Sequence, residues 1–258
     1  MSDSDHLYQS YEITTYSYGK IEQREAHLVR EIPLKLVVNG RPAATLACSP
    51  QAWTELALGY LISEGILERD SGLRSVQTEG QTIRIETENS EPEYRAQAPM
   101  VNTCNSLALK DFSATALLPL TAGKERFHIL DLLACSKSLD ERSAAFRLTG
   151  GVHSAALAYK ERLLCRYEDI GRHNAVDKTL GYAYLQNFIM EDKGLVLSGR
   201  VAAEILLKAY RHGLPLIVSR SAPTLKAVIL ARQLNITLVG FARGEQLNIY
   251  CGAERIIL

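Results

Sequence analysis

The run Asp169-Ile170-Gly171-Arg172-His173-Asn174-Ala175-Val176-Asp177-Lys178 brings carboxylates, a flexible glycine, a guanidinium and a titratable imidazole into one short stretch. Residues 162–167 ahead of it read as a strand carrying Leu163, Leu164 and Cys165, and behind it Ala175, Val176, Leu180 and Tyr184 recur at helical spacing. The polar residues therefore fall on a strand-to-helix turn, where a helix N-terminus offers unpaired backbone N–H groups and the positive end of its dipole to an anion. Two later turns repeat the arrangement. Leu195-Val196-Leu197 leads through Ser198-Gly199-Arg200 into a helical run over residues 202–211. Leu216-Ile217-Val218 leads through Ser219-Arg220-Ser221-Ala222-Pro223-Thr224 into another over 226–234. Open α/β sheets bind ligands beyond the carboxyl ends of their strands, so the three turns would gather Arg172, Arg200 and Arg220 at one edge of a parallel sheet to receive a phosphate-bearing ligand. Each turn alone also has a plainer reading. Ser198, Ser221 and Thr224 are residues that cap helices and shape turns, His173 can pack at a helix start, Asp177 and Lys178 can be a solvated pair, and Gly150-Gly151 can simply allow a sharp bend.

The cysteines Cys48, Cys104, Cys135, Cys165 and Cys251 are odd in number and lack Cys-x-x-Cys spacing, which argues against a disulfide framework and a structural zinc site. Four of them, Cys48, Cys135, Cys165 and Cys251, lie among apolar neighbours and read as core. Cys104 differs. It follows Pro99 in Met100-Val101-Asn102-Thr103-Cys104-Asn105-Ser106-Leu107 and precedes a helical run, a position where a loop thiol near a helix start favours the thiolate. A buried, inert thiol is the alternative for any free cysteine.

These residues must be positioned by surrounding elements. Residues 31–38 and 41–47 read as strands joined by Asn39-Gly40, a tight-hairpin dipeptide, and Ser49-Pro50 reads as a cap and first-turn proline for a helix through Trp53, Leu56, Ala57 and Tyr60 to about Gly65. Residues 82–87 alternate as a strand, 88–99 form a polar connection, and 129–139 read as a helix. From about residue 146 strands and helices alternate, with a strand over 146–159 that can pair with either half and final strands over 236–240 and 246–250. The expectation is an α/β protein with α+β character in front. It comprises a disordered tail over 1–10, a smaller N-terminal β-containing region over 11–140 with the Cys104 loop, and a layered α/β domain over 141–258.

Composition bounds the function. The chain has 258 residues, 47% of them hydrophobic, enough for one large domain or two modest ones, and 29 basic residues balance 29 acidic ones. That balance excludes a sequence-wide basic footprint for nucleic acid, so anion recognition must be local. No apolar run approaches the roughly 20 residues of a membrane helix, and the polar, acidic start lacks a signal-peptide core. With unpaired thiols, these features predict a cytoplasmic protein without membrane or nucleic-acid partners.

The same motifs carry a resemblance. Glu168-Asp169-Ile170-Gly171-Arg172-His173-Asn174-Ala175-Val176-Asp177-Lys178, with Gly150-Gly151-Val152-His153 before it and Ser198-Gly199-Arg200 and Ser221-Ala222-Pro223-Thr224 after it, resembles the formate dehydrogenase accessory sulfurtransferases, the FdhD family. Glu31-Ile32-Pro33-Leu34, Val38-Asn39-Gly40 and Leu58-Gly59-Tyr60-Leu61-Ile62-Ser63-Glu64-Gly65 extend the similarity through the front half, leaving the N-terminal tail and much of 72–99 unmatched. The resemblance implies a C-terminal domain of the cytidine-deaminase type. Zinc deaminases use His-x-Glu followed by Pro-Cys-x-x-Cys; here Ser154 and Ala155 follow His153 and no cysteine pair exists, so neither zinc nor another metal site is expected.

The resemblance also implies a sulfur carrier that acts through Cys104. Cys104 matches the first cysteine of the family's Cys-x-x-Cys loop, which bears a persulfide, and Leu107 replaces the second. Sulfur would come from a cysteine desulfurase and pass to bis-molybdopterin guanine dinucleotide, carried as cargo, before its insertion into formate dehydrogenase. Arg172, His173, Arg200, Ser221, Thr224 and the loop Phe241-Ala242-Arg243-Gly244-Glu245-Gln246 are expected to receive the cofactor's phosphates and guanine. A homodimer is implied as well. The alternative favoured by Leu107 is a chaperone that holds the cofactor without moving sulfur. A hydrolase or transferase using His153 or His173 as general base lacks an accompanying nucleophile or metal constellation.

Overall fold

The computed structural model describes residues 7–88, 117–121, 125–141 and 143–258. Strands β1 (Tyr8–Ser17) and β2 (Lys20–Val29) form a separate hairpin, followed by β3 (Ile32–Val38), β4 (Arg41–Cys48), α1 (Trp53–Ser63), β5 (Leu73–Glu79) and β6 (Thr82–Thr87). The back half contains β7 (Phe127–His128), α2 (Ile129–Glu141), α3 (Ala144–Thr149), β8 (His153–Tyr159), β9 (Arg162–Asp169), α4 (Arg172–Leu185) and β10 (Gly194–Leu197). It continues through α5 (Ala203–Arg211), β11 (Leu216–Ser219), α6 (Leu225–Gln233), β12 (Thr237–Arg243), β13 (Gln246–Cys251) and β14 (Ile256–Ile257).

In the front half, four strands pair in the order β4-β3-β6-β5. Along β3 the residues Ile32, Leu34, Leu36 and Val38 turn inward while Pro33 and Lys35 face out, the period of two that gives a strand one buried face. That face shares a core with Leu56, Leu58, Leu61 and Ile62 of α1. Asn39 and Gly40 both have positive φ, 47° and 75°, as a tight hairpin turn requires.

The large sheet has six strands in the order β13-β12-β11-β10-β8-β9 and is mixed, not parallel throughout. Its residues divide alternately between two cores. Ala155, Leu157, Leu195, Leu197, Ile217 and Leu238 face α4, α5 and α6, whereas Ala156, Ala158, Val196, Leu216, Val218 and Val239 face Leu132, Cys135 and Leu139 of α2. Burial on both faces accounts for the nearly continuous apolar runs of β10 and β11.

The halves meet where α1 crosses α4. A Cβ on Gly59 would lie 1.9 Å from the Asp177 carbonyl oxygen, and one on Gly181 would lie 1.9 Å from that of Glu55. Two facing glycines thus bring the helix backbones into contact.

Several sequence expectations need correction. β1 starts at Tyr8, within the span over 1–10 expected to be a disordered tail. The hairpin of β1 and β2 escaped detection because its apolar residues Tyr11, Tyr16, Tyr18 and Ile21 remain exposed and leave no core-facing stripe. Residues 146–149 belong to α3, which stops at Gly150 with φ 64°; the strand begins at His153 and pairs with β9 and β10 of the back half. Ser49 does not cap α1. The cap position is Ala52, while the Ser49 hydroxyl accepts the Ile170 N–H at 3.1 Å and its own N–H donates to Asp169 at 3.0 Å. The buried carboxylate claims the serine that the helix would have used.

Candidate anion-binding site at the carboxyl end of the sheet

Strand direction explains why the three turns meet. β8 runs antiparallel to both β9 and β10, so β9 points the same way as β10, and β11 and β12 run parallel to β10. The carboxyl ends of β9 to β12 therefore share one end of the sheet with the start of β8. Hydrogen bonds join the turns there. Ser198 donates its N–H to the Ser154 carbonyl at 3.0 Å, and its hydroxyl accepts the Ser154 N–H at 2.9 Å. Val201 donates to the Ala222 carbonyl at 3.1 Å, and the Ser219 hydroxyl donates to the Gly199 carbonyl at 2.7 Å.

The helix starts at this end differ in what they leave free. The cap residues of α4 and α5, Gly171 and Ala202, supply no side-chain acceptor, so the first-turn N–H groups have no side-chain cap. Thr224 does cap α6, its hydroxyl accepting the Ala227 N–H at 3.2 Å. Ser221 is likewise engaged, donating its N–H to the Ser219 hydroxyl at 2.9 Å. Ser221 and Thr224 therefore act as turn and cap formers in this structure, and the open helix starts are those beside Arg172 and Arg200.

Gly199 lets His153 and Arg172 close in on the turn: a Cβ there would lie 3.2 Å from His153 Nδ1 and 3.5 Å from Arg172 Cβ. Arg172 Nε and His173 Nε2 are buried without a hydrogen-bond partner among the described residues. His173 is 7% exposed. Burial, with Lys208, Arg172 and His153 nearby, pushes its imidazole down to about 3. Burial and the guanidinium of Arg172, with a smaller push from Arg200, also lower His153 against an opposing pull from Asp169. Both rings are thus neutral at neutral pH beside the Arg172 and Arg200 guanidiniums. Unpartnered buried donors and surplus positive charge are what a bound phosphate would satisfy.

Much of the polar run serves as framework. Asp169, fully buried, pairs with Lys178 at 2.7 Å and accepts from Ser49, Gly171 and Asn174. Asp177 pairs with Lys208 at 2.8 Å and accepts the Ser63 hydroxyl at 2.8 Å, while Lys208 also meets Glu64 at 3.2 Å. Asp177 and Lys178 are accordingly not a solvated pair. Each is buried, and each reaches a different partner.

Other expected site residues scatter in role. Arg200 is exposed at the second turn. Arg220 leaves the group, its guanidinium pairing with Asp140 of α2 at 2.9 Å. Phe241, 43% exposed with φ 51°, begins the extension of β12 beyond the neighbouring strands, and Arg243, Gly244, Glu245 and Gln246 form its exposed turn into β13. Arg243 Nε donates to the Arg220 carbonyl at 2.6 Å. Ala242 is a correction: its methyl lies in the core under α2, leaving it no side chain for a ligand. His153 is the residue that sequence reasoning placed only as a general base; the adjacent Gly150-Gly151 and the distant Gly199 were its signals, and the second becomes legible only once β8 and β10 are paired.

Burial pushes the Cys48 and Cys135 thiols up to about 12 and Cys165 to about 11, so these cysteines are poor nucleophiles. Cys104 and Leu107 lie outside the described residues. Among the described residues no His, Cys, Asp and Glu group is placed to hold a metal, and no helix is long and apolar enough to cross a membrane.

Fold and site together define a mixed α/β protein with a cluster of His153, Arg172 and Arg200 beyond the carboxyl ends of its sheet. The FdhD/NarQ family model matches residues 29–257, and the chain belongs to that family. A sulfur carrier protein FdhD of Geobacillus kaustophilus is 36% identical over 265 residues, covering 95% of this chain and 96% of that one. Its counterpart from Bacillus subtilis is 34% identical over 256 residues, covering 95% and 96%. The crystal structure of a protein described as a formate dehydrogenase accessory protein, from Desulfotalea psychrophila, superposes with a TM-score of 0.81 at 24% identity over 97% of this chain and 100% of that one, which shows the shared fold.

Proposed function

We propose that this protein is a cytoplasmic sulfur carrier for formate dehydrogenase, taking sulfur from a cysteine desulfurase and passing it to bis-molybdopterin guanine dinucleotide before that cofactor is inserted. The observation that carries the reading is the sheet end where Arg172, His153 and the uncapped starts of α4 and α5 converge, in a chain of the FdhD/NarQ family. This cluster suits the cofactor's phosphates. The back half would correspond to the deaminase-type domain of the family, and the working unit to a homodimer.

Cys104 is the proposed carrier. Its thiolate attacks the terminal sulfur of the desulfurase persulfide, the S–S bond there breaks, the desulfurase cysteine leaves as thiolate, and Cys104 becomes the persulfide. Release of that sulfur as sulfide consumes two electrons. In a two-cysteine loop the second thiol would supply them by closing a disulfide; Leu107 cannot, so a thiol from outside the loop takes that part.

Leu107 also supports the second reading, a cofactor-holding chaperone. Intact mass after incubation with a cysteine desulfurase and cysteine separates the two. The carrier gains one sulfur, and Cys104→Ser gains none while Cys165→Ser behaves as wild type. No added sulfur on the wild type would leave the chaperone.

A further inference from the structure

We infer that His153 is a proton-linked ligand at this sheet end, taking a proton from the medium as a phosphate group settles between it, Arg172 and Arg200. The inference rests on the anion-site reading above and adds a residue and a coupling to it. His153 opens β8 at the same sheet end, and its Nδ1 faces the Gly199 turn, where Arg172 also lies. Its backbone pairs with Asp169 of β9, but its ring makes no hydrogen bond among the described residues and the residue is part-exposed, so a ligand at this sheet end can reach it.

The charges around it come from each neighbouring element. Arg172 and His173 stand on α4, Arg200 on the turn after β10, and Asp169 and Glu168 at the end of β9. The two carboxylates are already engaged, Asp169 by Lys178 and Glu168 by Arg166 at 2.7 Å. The guanidiniums are what keep the imidazole neutral beyond the effect of burial. A phosphate would offset their charge and accept a hydrogen bond from the protonated ring, so binding favours proton uptake at this residue. No bond other than the new N–H forms or breaks. His173 does not share this response, because it lies deeper and keeps Lys208 beside it whether or not a ligand is bound.

The test is calorimetric titration of the full chain with GDP-mannose, whose pyrophosphate is esterified at both ends and has no proton to exchange near neutrality. Titrations at pH 6.5 in two buffers of different ionisation enthalpy give the number of protons taken up. Wild type is expected to take up a measurable fraction of one proton, and its affinity to fall by up to about tenfold per pH unit as pH rises toward 8. His153→Gln, with His153→Asn as a second variant, is expected to bind without uptake and with a flat pH profile. Binding by wild type without proton uptake, or uptake that persists in both variants, overturns the role of His153 while leaving the anion site in place. Absence of any binding by wild type overturns the guanine-dinucleotide reading and the inference with it.

Discussion

Arg172 and Arg200 sit at equivalent turns but in different surroundings, and that difference sets what each contributes. The Arg172 Nε is buried and unpartnered among the described residues, so a phosphate bound there gains a charge-assisted hydrogen bond away from water. Arg200 is exposed, and solvent screens its charge. Replacing Arg172 with alanine should weaken GDP binding by about 1.5–3 kcal/mol, and replacing Arg200 should cost less. Arg232 on α6 donates to the Tyr250 carbonyl at 3.4 Å, away from the three turns, and serves as the control. Calorimetric titration of wild type and the three alanine variants with GDP and ADP checks this. Equal GDP affinity in all four proteins would remove the site, and equal affinity for GDP and ADP would refute guanine recognition while keeping the phosphate site.

The crossing of α1 and α4 is an element-scale constraint, because both contact points are backbone against backbone. Gly59→Ala puts a methyl group where the Asp177 carbonyl already stands, and neither helix can yield by rotating a side chain. The expected loss is about 1–3 kcal/mol or more, read as a fall in Tm of roughly 2–4 °C for each kcal/mol; an unchanged Tm would mean the helices do not meet there. Elements of this kind were legible in sequence when their signal was local. The alternation of β3, the Asn39-Gly40 turn and the Ser, Gly and Arg clusters after β10 and β11 all fell where expected. What stayed hidden depended on distant partners. Ser49 has the sequence context of a cap, and only the buried Asp169, 120 residues away, turns it aside. Arg220 matches Arg172 and Arg200 by position, yet Asp140 on the opposite face of the sheet holds it. Ala242 lies in a polar turn sequence, but the extension of β12 carries its methyl under α2.

At the scale of the whole molecule, buried charge joins the two halves and makes stability depend on pH. Asp177 of α4 links Lys208 of α5 to Ser63 at the end of α1, and His173 and His212 lie buried near the same lysine. Burial, followed by nearby cations, pushes both imidazoles down to about 3, with Lys208 and Arg172 acting on His173 and Arg69 and Lys208 on His212. Unfolding returns them to the ordinary value of 6.5, so below that pH the unfolded chain binds more protons. Each histidine then removes stability as pH falls from 6.5 to about 3, at about 1.4 kcal/mol per pH unit. Asp177 acts in the opposite sense: burial raises it from 3.8 to about 6, so the folded state keeps its proton and regains stability as pH falls through that window. Two histidines outweigh one aspartate, and Tm should fall as pH is lowered from 7 to 5. His212→Asn should remove about one proton from this dependence, leaving His173 and Asp177 nearly in balance between pH 6 and 4. Thermal melts of wild type and His212→Asn across pH 4 to 7 measure both slopes. A wild-type Tm that holds constant down to pH 5 would show that the folded protein accommodates charged imidazoles at these positions.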